Sequence, residues 1–327
     1  MTKAIRTKAI GFALLLLVIA SLAGCGGQQG PASAENGKAN PASNGAATEY
    51  RVVTDAFGEV KVPVKPKRVA ALYLEDYMVA LGVKPIVQWQ HPTWGKQDYL
   101  GLDDVPAFDI TGSVEALLKA EPDLIIVDGG VDAKRYEQYS KIAPTYRMPD
   151  EINQNTAKVL EKMGELLGIP DKAGQILQQY NQKAADAKAK LAKAVGEQKV
   201  AVVRLNIGDK SLAVFNAEKG FVGPTVYKDL GLKAPRLVAD IKDNHALLSL
   251  EVIPQLDADH IFIFPSNGNW TSADNQEAIK VLDSPLWQSI PAVKNGNVHK
   301  LDRTYWQTWA ITANTKKIDD VLKALIK

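Results

Sequence analysis

The residues best suited to gripping a large molecule are aromatic, and they come in groups. Trp89, His91, Trp94 and Tyr99 follow one another closely, Trp270 stands by itself, and Tyr305, Trp306 and Trp309 form a third group. Five of the six tryptophans fall in stretches read as loops just beyond strand ends, where lining a ligand site is a more natural role than core packing. Trp287, inside a Pro-Leu-Trp segment, reads instead as a packing residue. Arg204 ends a strand-like run, and a guanidinium there offers several charged donors to clustered oxygen atoms, with an ion pair as its ordinary alternative. Gly129 and Gly130 follow another such run and would let backbone approach a bound molecule closely; Arg135 and Tyr136 lie just beyond.

Catalytic chemistry has no comparable footing. There is no Gly-x-Ser-x-Gly elbow, no phosphate loop and no His-Glu-x-x-His motif. The four histidines, His91, His245, His260 and His299, are scattered and show no spacing for direct zinc or manganese ligation. The formal charge of +2 includes Lys3, Arg6 and Lys8 of the N-terminal segment, so a chain processed after that segment carries 2 − 3 = −1. That balance argues against nucleic acid as a partner.

Those three basic residues precede an uncharged run over 9–23, the order of a secretory leader and too short and one-sided for a membrane span. The only cysteine, Cys25, closes Leu-Ala-Gly-Cys, which looks like a bacterial lipobox: small residues for a signal peptidase, then a thiol to accept a diacylglycerol. With no second cysteine, a disulfide within the chain is excluded. Residues 1–24 therefore read as a signal peptide and 25–48, poor in large apolar side chains, as a flexible tether from the lipid anchor.

The elements that must position these groups are of α/β type. Strand patterns run over 69–73, 85–89, 123–127, 199–205, 211–215, 260–264 and 298–301; helix patterns run over 75–81, 114–120, 133–142, 156–167, 250–256 and from 312 to the end. Two stretches, SVEALLKAEPDLIIV and SLEVIPQLDADHIFI, match at a constant offset of 136, pairing Ser113 with Ser249, Glu115 with Glu251 and Asp123 with Asp259. Each predicts a Ser-capped short helix with Glu in its first turn, then a buried strand. A looser echo relates 69–85 to 200–233, each ending a helix in Leu-Gly, at Gly82 and Gly231. Between the copies, 171–195 is rich in Ala, Lys, Gln and Leu and free of Pro, which predicts one helix of about 37 Å joining two lobes of related fold. The expected organisation is an N-terminal lobe over 49–168, the bridging helix over 169–197 and a C-terminal lobe over 198–327.

The chain resembles the FecB and FhuD type of iron-siderophore substrate-binding proteins, within the ferric-siderophore and cobalamin family of periplasmic-binding-like folds. The resemblance rests on KRVAALYLEDYMVALGVKPIV, SVEALLKAEPDLIIVDGG, YSKIAPTY, HALLSLEVIPQLDADHIFIF and SPLWQSIPAVKNGNVHKLD, which with the lipobox extend over nearly the whole chain. It implies two Rossmann-like lobes joined by one long helix, the class III periplasmic-binding-protein arrangement, with a shallow cleft between them. It implies a ferric siderophore as ligand, no intrinsic cofactor, and no metal ligands from the protein, because the siderophore completes the iron coordination itself. It further implies a ligand arginine near Arg204, and docking of one carboxylate per lobe, Glu115 and Glu251, onto FecCD-type permease subunits served by a cytoplasmic ATPase. Each of those glutamates could also simply complement a helix N-terminus. The location implied is outside the cytoplasm, on the membrane through Cys25. One well-placed arginine among many aromatics favours a hydroxamate over a strongly anionic tris-catecholate. Haem or cobalamin on the same scaffold is the second reading, and an enzyme or a non-transport surface lipoprotein the different-class one.

Overall fold

The computed structural model describes residues 48–249 and 251–326; Cys25, the expected leader and residues 26–47 of the expected tether lie outside the described residues. The described chain opens with an antiparallel hairpin of β1 (Tyr50–Asp55) and β2 (Gly58–Pro63) that the sequence pattern did not announce. Asp55 organises it: Oδ1 accepts the Phe57 N–H at 2.7 Å to fold the turn, and Oδ2 accepts the Arg147 N–H at 3.0 Å to hold the hairpin against the next sheet.

In the N-terminal lobe come β3 (Val69–Leu72), β4 (Gln88–Gln90), β5 (Ala107–Asp109), β6 (Leu124–Val127) and β7 (Thr145–Arg147). β3, β6 and β7 form one parallel sheet in that spatial order, and β4 and β5 form a separate parallel pair. All residues of β3 and β6 are buried, as expected of parallel strands covered on both faces. The C-terminal lobe contains β8 (Val200–Asn206), β9 (Ser211–Phe215), β10 (His245–Leu248), β11 (His260–Pro265) and β12 (Val298–Lys300) in the order β10-β9-β8-β11-β12. β8, β11 and β12 run parallel; β9 is antiparallel to both its neighbours.

The internal repeat has a structural meaning. In the first copy Asp123 takes the N–H groups of Lys67 and Arg68 on its carboxylate and returns its own N–H to the Arg68 carbonyl. In the second, Asp259 takes the Lys199 N–H and gives its N–H to the Lys199 carbonyl. Each aspartate thereby sets the register of a parallel strand pair, β3 with β6 and β8 with β11. The helices preceding these strands differ. The first is α-helical over Glu115–Lys119, whereas the expected helix over 250–256 is reduced to a 3-10 turn, Ile253–Gln255. Pro254 stands where the first copy has Leu118; it lacks an N–H and disfavours helical backbone at the residue before it.

The bridging helix is Pro170–Ala194, 25 residues with proline in its first turn. Its buried face is narrow and mostly small: Ala173, Tyr180, Ala184, Ala187 and Leu191. Both Leu-Gly helix ends abut it. Gly82 (φ +68°) and Gly231 (φ +69°) each take a left-handed turn, and a side chain there would strike Lys172 and Lys188 respectively, two residues of this one helix. Lys172 and Lys188 are separated by about 24 Å of helix, so the rod touches a matched element of each lobe.

The C-terminal helix, Ile311–Leu325, belongs to the C-terminal lobe by sequence yet also packs on the bridging helix and on the helix Glu75–Ala80. Asp76 fixes this contact: its buried carboxylate accepts the Thr312 N–H at 2.8 Å, the Ala313 N–H at 3.0 Å and the Tyr99 hydroxyl at 2.7 Å. An aspartate from one lobe thus caps a helix of the other. Consistent with this, one continuous apolar cluster runs from Val53 and Met78 through Leu191 to Trp306 and Leu325.

Candidate functional site

The parallel strands of both lobes deliver their C-terminal ends to one crevice, the usual ligand position in open α/β sheets. Tyr73 follows β3, Trp89 lies in β4, Asp128 follows β6, Arg204 and Asn206 end β8, Ser266 follows β11 and Arg303 follows β12. β3 is broken at the crevice by left-handed backbone at Tyr73 (φ +66°), whose ring meets that of Trp89 at 4.8 Å.

The crevice has two adjoining chambers, of about 360 and 440 Å³, that share Tyr73, Trp89, Trp94 and Phe221. The first is basic. Lys96, Arg204 and Arg303 line it, together with Gln97, Ser266 and Gln307. Neither arginine is in an ion pair among the described residues. Arg204 is steadied by Nε donation to Asn206 Oδ1 at 2.8 Å and by its position over the Phe215 ring at 5.7 Å. Arg303 reaches across the lobes to the Trp94 carbonyl at 2.6 Å. Burial pulls both guanidiniums below their usual value, against the opposing pull of Asp209 on Arg204 and of Asp302 on Arg303. Gln97 is buried, with neither amide atom hydrogen-bonded among the described residues.

The second chamber is more apolar. Leu72, Ile110, Val131, Tyr139 and Trp309 line it, with Asp128, Asp132 and Arg135 as its charged members. Trp309 and Phe221 stack face to face, 5.1 Å apart and 5° from parallel. Lys317 holds both backbones in place. Fully buried, its ammonium donates to the carbonyls of Phe221 and Thr308 and to Asn314 Oδ1, three acceptors for three N–H groups.

Of the residues singled out from sequence, Trp89, Trp94, Arg204 and Trp309 line these chambers, and so do Gly130 and Arg135. Trp94 is half exposed on a tight turn in which His91 and Gly95 exchange backbone bonds, and it stacks on the His91 ring at 4.0 Å. Trp270 lines a neighbouring depression beyond Arg303, with its indole N–H on the Leu301 carbonyl and Lys300 over its ring.

Two of the expected residues lie away from both chambers. Trp306 is fully buried, stacked on Phe262 at 5.9 Å, and has no surface to offer a ligand. Tyr305 lines neither chamber; its hydroxyl and the Trp306 indole N–H both donate to Asp320 Oδ2 at 2.8 Å. The cause is local: Asp302 caps a short helix, Arg303–Trp306, where a loop was expected, and that turn lays both rings against the C-terminal helix. Tyr99 and Tyr136 are likewise committed elsewhere, to Asp76 and to the Thr145 carbonyl. Tyr73, Gln97, Asp128, Phe221 and Arg303 were missed. For Arg303 the capping pattern Asp302-Arg-Thr was the available signal; for Phe221 and Gln97 there was none.

Glu115 and Glu251 are both exposed, Glu115 in the first turn of its helix and Glu251 in the turn before Ile253–Gln255. The Ser113 hydroxyl accepts the Glu115 N–H at 3.2 Å.

The periplasmic binding protein family matches residues 74–305. The chain belongs to that family. It is similar to the Iron(3+)-hydroxamate-binding protein FhuD of Bacillus subtilis (strain 168), 34% identical over 304 residues with 88% of each chain covered. A second relative from the same organism, the Iron(3+)-hydroxamate-binding protein YxeB, is 27% identical over 324 residues, covering 97% of this chain and 96% of its own. Among solved structures, Staphylococcus aureus SirA complexed with staphyloferrin B superposes with a TM-score of 0.70 at 28% identity, covering 84% of this chain and 98% of that one. Members of this family bind and deliver rather than catalyse, so the crevice is a binding site and not an active site.

Proposed function

We propose that this binding protein captures a ferric siderophore, of hydroxamate type, in the crevice between lobes 49–168 and 198–327 and delivers it to the permease of an ABC importer. The observation that carries the reading is the basic chamber: two arginines that are in no ion pair among the described residues converge, beside Gln97, on a space walled by Tyr73, Trp89, Trp94 and Phe221. Guanidinium and amide donors suit the oxygens around a chelated iron, and the rings suit the organic shell. Two of the relatives named above carry Iron(3+)-hydroxamate in their names, which supports the same ligand class.

In this reading Glu115 and Glu251, exposed and related by the repeat, each present one anion to one permease subunit. The bridging segment 169–197 keeps them at a fixed spacing. Residues 1–24 act as the export signal, and Cys25 carries the lipid that holds the protein at the outer face of the membrane; a relative, YfiY, is named a probable siderophore-binding lipoprotein. Titration of tryptophan fluorescence with ferric hydroxamates, a ferric tris-catecholate, ferric citrate, haem and cobalamin tests the proposal. Ferric hydroxamates are expected to quench at the lowest concentrations; saturable binding of haem or cobalamin alone would replace the reading.

A further inference from the structure

The two chambers carry opposite charge. The first is lined by Arg204 and Arg303, in no ion pair among the described residues, and by Lys96, which is paired with Asp98 and Asp103; the second has Asp128 and Asp132 against one cation, Arg135. Both neighbouring cations on the acidic side are already engaged. Arg135 donates to the carbonyls of Ile110 and Gly112 and to Gln138, and Arg147 donates to the carbonyls of Gly129, Val131 and Met148 and to Asp150. Asp132 is engaged too, accepting the Arg135 N–H at 2.7 Å at a helix start. Asp128 likewise accepts one backbone N–H, from Gly130 at 3.2 Å, and is in no ion pair among the described residues, although the Arg147 guanidinium is near enough to favour its charged form. It stands in a chamber faced by Tyr73, Trp89, Phe221 and Trp309.

A carboxylate set among aromatic faces is the arrangement that recognises an ammonium group: the anion supplies a charge-assisted hydrogen bond and the rings supply cation–π attraction. We propose that the second chamber is a subsite for a protonated amine carried by the ligand, with Asp128 as its counter-ion. The inference rests on the crevice being the siderophore site. It narrows the substrate class to ferric hydroxamates with an oxygen-rich, iron-proximal end that accepts hydrogen bonds from Arg204 and Arg303 and a cationic tail for Asp128. Burial raises the Asp128 carboxyl above its ordinary range, and a bound ammonium would relieve that cost.

The test compares two ferric complexes of one linear trihydroxamate, one with a free terminal primary amine and one with that amine acetylated. Each is titrated into the wild-type protein and into Asp128→Asn by tryptophan quenching, with urea unfolding to check the variant's fold. The wild type is expected to prefer the free amine by about 10-fold, and the ratio is expected to fall to about one in Asp128→Asn. Equal affinities in the wild type overturn the proposal without reference to any variant, and a preference that survives in Asp128→Asn overturns the role of that residue. Failure of both complexes to bind the wild type sinks the siderophore reading itself, and this subsite with it.

Discussion

Glu75 offers a direct test of how the wall behind the crevice is held. Its carboxyl is buried; Oε1 accepts the Trp89 N–H at 2.5 Å, and Oε2 has no partner in the described structure. Burial pushes it from an ordinary 4.5 up to about 8, opposed by backbone N–H groups and reinforced by Asp128, so the group is neutral at pH 7. In the unfolded chain it titrates near its ordinary value. Between those two pH values the folded protein holds a proton that the unfolded chain has lost, so this contribution to stability is fully present below about 4.5 and is lost as pH rises through about 8. A gap of about 3.5 pH units at about 1.4 kcal/mol each gives a swing of ~5 kcal/mol. Glu75→Gln keeps the acceptor for Trp89 and cannot titrate. Urea unfolding of both proteins at about pH 5 and about pH 9 is the assay, and the difference between them is the quantity to read. That difference cancels the other titrating groups, including Lys317, which burial brings down to about 7 and which acts with the opposite sign. The wild type is expected to lose several kcal/mol relative to Glu75→Gln across this range. A difference that stays constant with pH refutes the buried neutral carboxyl.

Other outcomes follow from the same geometry. Arg204→Ala should weaken ferric hydroxamate binding by about 10- to 100-fold, the worth of hydrogen bonds to a charged group, measured by tryptophan quenching; unchanged affinity removes that residue from the site. Trp306→Ala should cost ~3–5 kcal/mol of folding stability in urea, whereas Trp309→Ala should lower ligand affinity with a smaller change in stability, and the reverse pattern would contradict the placement of the two rings. Glu115→Ala combined with Glu251→Ala should leave binding intact and depress iron uptake by cells; normal uptake rejects docking through this pair. Cys25→Ala should move the protein out of the membrane fraction, and continued anchoring rejects the lipid attachment.

Sequence pattern read the scaffold well because strands such as β3 and β6 are short all-apolar runs, β11 is nearly so after His260, and the bridging helix has propensity throughout with a proline at its start. The hairpin of β1 and β2 escaped because its strands are half exposed and weakly patterned. The crevice was legible only in part. Tryptophan marks both ligand walls and cores, and only tertiary structure decides between them: Trp309 stands on the chamber and Trp306, three residues earlier, is buried on Phe262. Arg303 and Gln97 become site residues through convergence of distant segments, as when Arg303 meets the Trp94 carbonyl across the two lobes, and no local spacing records that meeting.

The cap that Asp76 places on the last 15-residue helix has a consequence for how the chain matures. The first half of the polypeptide offers this buried aspartate only the Tyr99 hydroxyl, and its two backbone N–H partners arrive with the final segment, so the first half cannot finish folding ahead of the second. A chain synthesised from its N-terminus cannot close this contact until the first turn of its last helix has been added.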